Sequence, residues 1–91
     1  MAVIDSVAKE LHMKPDELLK ESLKAYLELR LSKIEAGCYL IAKKHGVKDV
    51  FEMDKKARTG GITERDSYDD YFILDNLEAE RDSIKKALEE L

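Results

Sequence analysis

Proline occurs once in the 91-residue chain, at Pro15, and cysteine once, at Cys38. A single cysteine cannot form an intrachain disulfide, and this usage fits an intracellular, cytoplasmic setting. Histidine is confined to His12 and His45. That leaves no paired-Cys or His-rich spacing of the kind that binds zinc. No apolar run approaches the length of a membrane span. The opening MAVIDSVAKELHM has neither the basic start nor the long apolar stretch of a signal peptide. Sustained apolar–polar alternation is missing, which argues against strands. Gly60-Gly61 is not followed by the Gly-Lys-Ser/Thr of a phosphate loop, and reads as a break between helices.

What remains is dense in charge. Charged residues make up 40% of the chain and hydrophobic residues 44%, with a formal net charge of −4. The hydrophobic share argues against disorder. The charge suits a helical surface laced with ion pairs, as in many thermophile proteins. A net negative chain has no overall attraction for nucleic acid. The length allows one domain over residues 1–91. A chain of this size buries only about 60–65% of its extended surface, so a second subunit is expected to help.

The longest segment runs from Pro15 to His45. Pro15 suits a first helical position, and Asp16 and Glu17 suit the positive end of the helix dipole. Lys14 is a poor cap. Gly46 supplies a left-handed stop, with Lys43 and Lys44 at the negative end. Along this segment Leu27, Leu31, Ile34, Cys38, Ile41 and His45 step by four and three and form one seam. A second row, Leu18, Ser22, Ala25, Leu29, Ser32, Ala36 and Leu40, lies on the opposite side. A helix apolar on two sides expects neighbours on both. Leu27, Leu31, Ile34, Cys38 and Ile41 are therefore the expected buried and self-association positions of a homo-oligomer.

Shorter helices are expected at Ala2–Leu11, with Asp5 or Ser6 as cap, and at Val47–Arg58, with Val47, Val50, Phe51 and Ala57 as its partial inward face and Met53 not assigned to it. The last helix should open at Thr63, with Thr63 and Asp66 as an approximate capping box, and end near Glu90. Its apolar stripe is expected to start at Ile73, because Asp70 is charged, with Tyr68, Tyr71, Phe72 and Leu74 spreading the apolar surface over its first half. It then passes Leu77, breaks at Arg81, and resumes at Ile84, Leu88 and Leu91. The fold class is all-α: a long antiparallel hairpin of the second and fourth helices, padded by two short ones, expected to be dimeric.

No catalytic constellation, metal site or cofactor site emerges. Cys38 and His45 are two helical turns apart, about 10 Å along the axis, too far to share one ion. Three carboxylate pairs have three-residue spacing: Asp66 with Asp69, Asp75 with Glu78, and Asp49 with Glu52. All-helical nucleotide pyrophosphatases hold magnesium with such pairs on facing helices, but the helix dipole explains acids in a first turn equally well. The serines lack a His and acid partner. The most suggestive surface is Tyr68-Asp69-Asp70-Tyr71-Phe72, because aromatic side chains anchor interfaces and acids suit a basic partner.

The segment Val7 to Glu28 resembles the helix–turn–helix half of ribbon-helix-helix proteins, the DNA-binding fold of many antitoxins. The matching pieces are Met13 in the turn, Glu17-Leu18-Leu19 opening the next helix, and Ala25-Tyr26-Leu27 closing it. His12 stands where that family usually has glycine and Lys14 where it usually has serine, and too few residues precede the first helix for the β-ribbon. The layout as a whole is similar to a small archaeal all-helical antitoxin family. The similarity is carried by Glu21–Glu28, Lys43–Asp54 and Asp69–Leu91. It implies a non-enzymatic protein that binds and neutralises a basic toxin, with Tyr68, Tyr71, Phe72, Asp66, Asp69 and Asp70 as the expected contact residues. A DNA-binding repressor using Lys9, Lys14, Lys20 and Lys24, or a metal-dependent hydrolase, is the alternative.

Overall fold

In a computed structural model, the described residues are 2–60 and 64–91, with side chains in the last helix described from Tyr68 onward. They form four helices in the order α1 (Ala2–Glu10), α2 (Pro15–His45), α3 (Val50–Arg58) and α4 (Glu64–Glu89), with no strand among the described residues. Helix α2 pairs most extensively with α4, while α1 packs on α2 and α3 on α4. The expected long hairpin with two short padding helices is present. The expected cap residue Thr63 and the side chain of Asp66 lie outside the described residues.

The hairpin is built from two matched seams. On α2 it is the Leu27–His45 row, expected from the sequence as the self-association row but here packed along α4 of the same chain, with Ile34 and His45 buried and Leu27, Leu31, Cys38 and Ile41 half-buried. On α4 the expectation needs correction. Leu74, 1% exposed, is a core residue, whereas Ile73 is 48% exposed. The seam therefore runs Asp70, Leu74, Leu77, Arg81, Ile84 and Leu88, with two charged members. The contact of His45 Nε2 with Asp70 Oδ2 at 2.7 Å fixes the register. From that point the seams step by matching fours and threes, which sets Ile41 opposite Leu74 and Leu27 opposite Leu88. Gly37 lets the helices close: a Cβ there would lie 3.1 Å from Cδ1 of Leu77. Arg30 and Glu80 pair across the hairpin.

Helix ends follow from local chemistry. At the end of α1, Met13 N–H donates to Ala8 O and His12 N–H to Lys9 O. These are the two bonds of a Schellman motif, and they place His12 at φ +56°. Helix α2 ends the same way: Val47 N–H donates to Ala42 O and Gly46 N–H to Lys43 O, with Gly46 at φ +64°. Helix α1 begins at Ala2, so Asp5 lies in its first turn and is not its cap.

Helix α3 begins at Val50, three residues later than expected, because three carboxylates converge on its N-terminus. Asp49 Oδ1 accepts from Glu52 N–H at 2.9 Å, Glu52 Oε2 from Lys48 N–H at 3.1 Å, and Glu78 Oε2 of α4 from Val50 N–H at 3.0 Å. This start turns Val50 and Met53 inward, while Phe51 is 81% exposed, contrary to its expected inward placement. Val50, Met53 and Leu74 form a small core joined by Cys38, Ile41, Val47 and Tyr71.

Candidate partner-binding site

The aromatic–acidic stretch sits where α4 passes α3, and the helix divides it. Asp70 and Tyr71 turn towards the protein. Asp70 accepts hydrogen bonds from Lys44 Nζ at 2.8 Å and from the His45 ring at 2.7 Å, and its side chain is only 17% exposed. Hydrogen bonds from Lys44 and His45 hold its carboxyl below the usual carboxylate range, against the opposing pull of burial. Tyr71 packs on the Val50–Met53–Leu74 core. Both residues are thus structural members of the hairpin, whereas the sequence pattern groups them with the contact surface.

Tyr68, Asp69 and Phe72 remain outside. Tyr68 is 63% and Phe72 49% exposed, although such rings usually bury most of their area. Their ring centroids are 5.1 Å apart in an edge-on arrangement, and Phe72 meets Tyr71 edge-on at 5.7 Å. They border an open groove of about 300 Å³ between α3 and α4, lined by Met53, Asp54, Ala57, Tyr68, Tyr71 and Phe72. The i, i+4 pair Tyr68 and Phe72 on α4 faces the i, i+4 pair Met53 and Ala57 on α3. Asp54 stands at the rim, paired with Arg58 at 3.0 Å. The sequence pattern does not mark Met53 and Ala57 as groove residues. Their four-residue spacing is visible there, but the groove needs α3 and α4 side by side.

The other candidate residues are accounted for locally. Asp49 and Glu52 cap α3, as does Glu78. Among the described residues, no three His, Cys, Asp or Glu side chains gather as a metal-binding group. His45 is buried in the hairpin, and His12 occupies an exposed turn. The Cys38 thiol is pushed up in pKa chiefly by burial, partly offset by nearby Arg81. Lys9, Lys14, Lys20 and Lys24 are all exposed, with Glu10, Asp16, Glu17 and Glu21 among them in sequence. No described helix is long and apolar enough to cross a membrane.

The chain belongs to the Uncharacterized protein MJ0235 family, whose model matches residues 1–91. No curated protein and no solved structure matches it.

Proposed function

We propose that this member of the MJ0235 family is a non-enzymatic protein-interaction module that binds a basic partner at the Tyr68–Phe72 groove, in the manner of an antitoxin covering its toxin. The observation that carries this reading is the pair of exposed rings standing over an open apolar groove. Aromatic side chains half in water beside a groove are the usual anchors of an interface. Exposed Asp69 supplies negative charge that would steer a basic surface towards it, while Asp54 at the rim is already paired with Arg58. The similarity of the layout to small helical antitoxins supports the same partner class.

The test is co-expression with small basic proteins encoded beside this gene, followed by calorimetric titration. Phe72→Ala and Tyr68→Ala should each stay folded and weaken binding by about 2 kcal/mol, roughly thirtyfold. Asp69→Asn should mainly slow association and reduce its salt dependence. Tyr71→Ala should lower stability as well, since that ring is part of the core. Absence of binding, or unchanged affinity in both ring variants, would overturn this function.

A further inference from the structure

With the Leu27–Ile41 seam on the hairpin side, the second row of α2 is left uncovered. Ser22, Ala25, Leu29, Ser32, Ala36 and Leu40 are all exposed, with Leu29 at 56% and Leu40 at 65%. The row also has a symmetry. Leu29 is its midpoint; Leu18 and Leu40 lie eleven residues to either side, and Ser22 and Ala36 lie seven. Ala25 and Ser32 sit four before and three after. Placed antiparallel about Leu29, the row is close to self-complementary, leucine meeting leucine and small residue meeting small, which suits a two-fold pair in which residue i meets j and j meets i. Small residues between the leucines let two such helices approach closely.

We infer that this face binds a second copy of the chain, α2 against α2, with the two-fold axis at Leu29. Two further features of the fold fit that occupant. In this register Leu40 of the second copy stands opposite Leu18 and its Ala36 opposite Ser22. At that place α1 and α2 enclose an open apolar groove of about 410 Å³, lined by Ala2, Val3, Ile4, Val7, Leu18 and Ser22. The groove is roomy enough for a leucine side chain, and the symmetry fills it twice.

Charge agrees as well. Glu17 comes near Lys43 of the second copy, an opposite-charge pair at each end, and the exposed Tyr26 ring is presented to Lys33. The row spans about 33 Å of helix; widened by α1 at both ends, it would bury on the order of 600 Å² per copy, near the lower end of specific interfaces. The Tyr68–Phe72 groove lies on other elements, so self-pairing does not depend on the proposed partner.

Sedimentation of the full chain over a concentration series tests this directly. The chain should dimerise at tens of micromolar. Leu29→Glu, which sets two carboxylates against each other on the axis, should weaken the dimer at least 100-fold with helix content unchanged. Geometry is read by oxidative crosslinking in a Cys38→Ser background. Leu29→Cys should crosslink to itself. Leu18→Cys and Leu40→Cys should crosslink when mixed, whereas Leu40→Cys alone should not, its two copies being about 33 Å apart. A monomer at high micromolar concentration, a dimer indifferent to Leu29→Glu, or self-crosslinking of Leu40→Cys as fast as Leu29→Cys would each overturn the inference.

Discussion

Single residues with unusual backbone or charge set the ends of this hairpin. His12 holds a left-handed conformation, φ +56°, that costs a side-chain-bearing residue energy and glycine none. Since the turn already carries both Schellman bonds, His12→Gly should stabilise the fold by up to about 1 kcal/mol, even after the extra unfolded-state entropy of glycine. A higher urea midpoint with an unchanged slope is the expected readout. Asp70 acts through charge. Its carboxyl is held low by Lys44 and His45 in the folded chain, so its stabilising contribution is complete above the ordinary carboxylate value of 3.8. That contribution is lost as pH falls below 3.8 through the folded-state value. Asp70→Asn should therefore flatten the acid limb of a stability–pH curve, and cost about 1–3 kcal/mol at neutral pH because a charged acceptor is removed from buried His45.

At the scale of elements, α4 is the helix whose inward side differs from its sequence pattern. Ile73 and Leu74 are adjacent, similar in hydrophobicity, and less than a third of a turn apart, so only the position of Asp70 separates the two seams. Treating a charged residue as outward selects Ile73. The structure selects Leu74, since an inward Asp70 meets Lys44 and His45 at the end of α2. Leu74→Ala should accordingly cost about 2–5 kcal/mol, within the range of large core truncations, and Ile73→Ala less than about 0.5 kcal/mol. Equal losses at the two positions in denaturant titrations would restore the Ile73 seam. The same reasoning explains α3. Its apolar residues alone leave Phe51 and Met53 competing for the core, and Glu78, from a helix 28 residues distant in sequence, decides by capping Val50.

The whole molecule is a rod. Its extents are 60 × 19 × 18 Å and its radius of gyration 18.9 Å, where a compact chain of this length would have about 12 Å. A rod two helices thick has no deep interior, and among the described residues only Met53, Leu74 and Ala8 are 1% exposed or less. Stability should then be uneven along its length. Helix α1 has nine residues, below the length at which an isolated helix persists, and Ala8 as its one buried residue. In native-state hydrogen exchange the α1 amides should open well below the global unfolding free energy, and those of Ile34–His45 and Leu74–Ile84 near it. Uniform protection from α1 to α4 would show that one cooperative unit includes both ends.

Sequence by itself determined the helical class and the long helix from Pro15 to His45, bounds included, because Pro15 and Gly46 act through local backbone geometry alone. It also marked the two apolar rows of α2, since a four–three period needs no knowledge of the partner, but not which of them faces α4. Tertiary structure decided the side of α4, the start of α3 and the groove beneath Tyr68 and Phe72. The first two depend on a charge meeting a distant counterpart, Asp70 with His45 and Glu78 with Val50, and the groove follows once they bring α3 and α4 together. Such pairing reverses the rule that charged residues face outward, and nothing in a local window of sequence announces it.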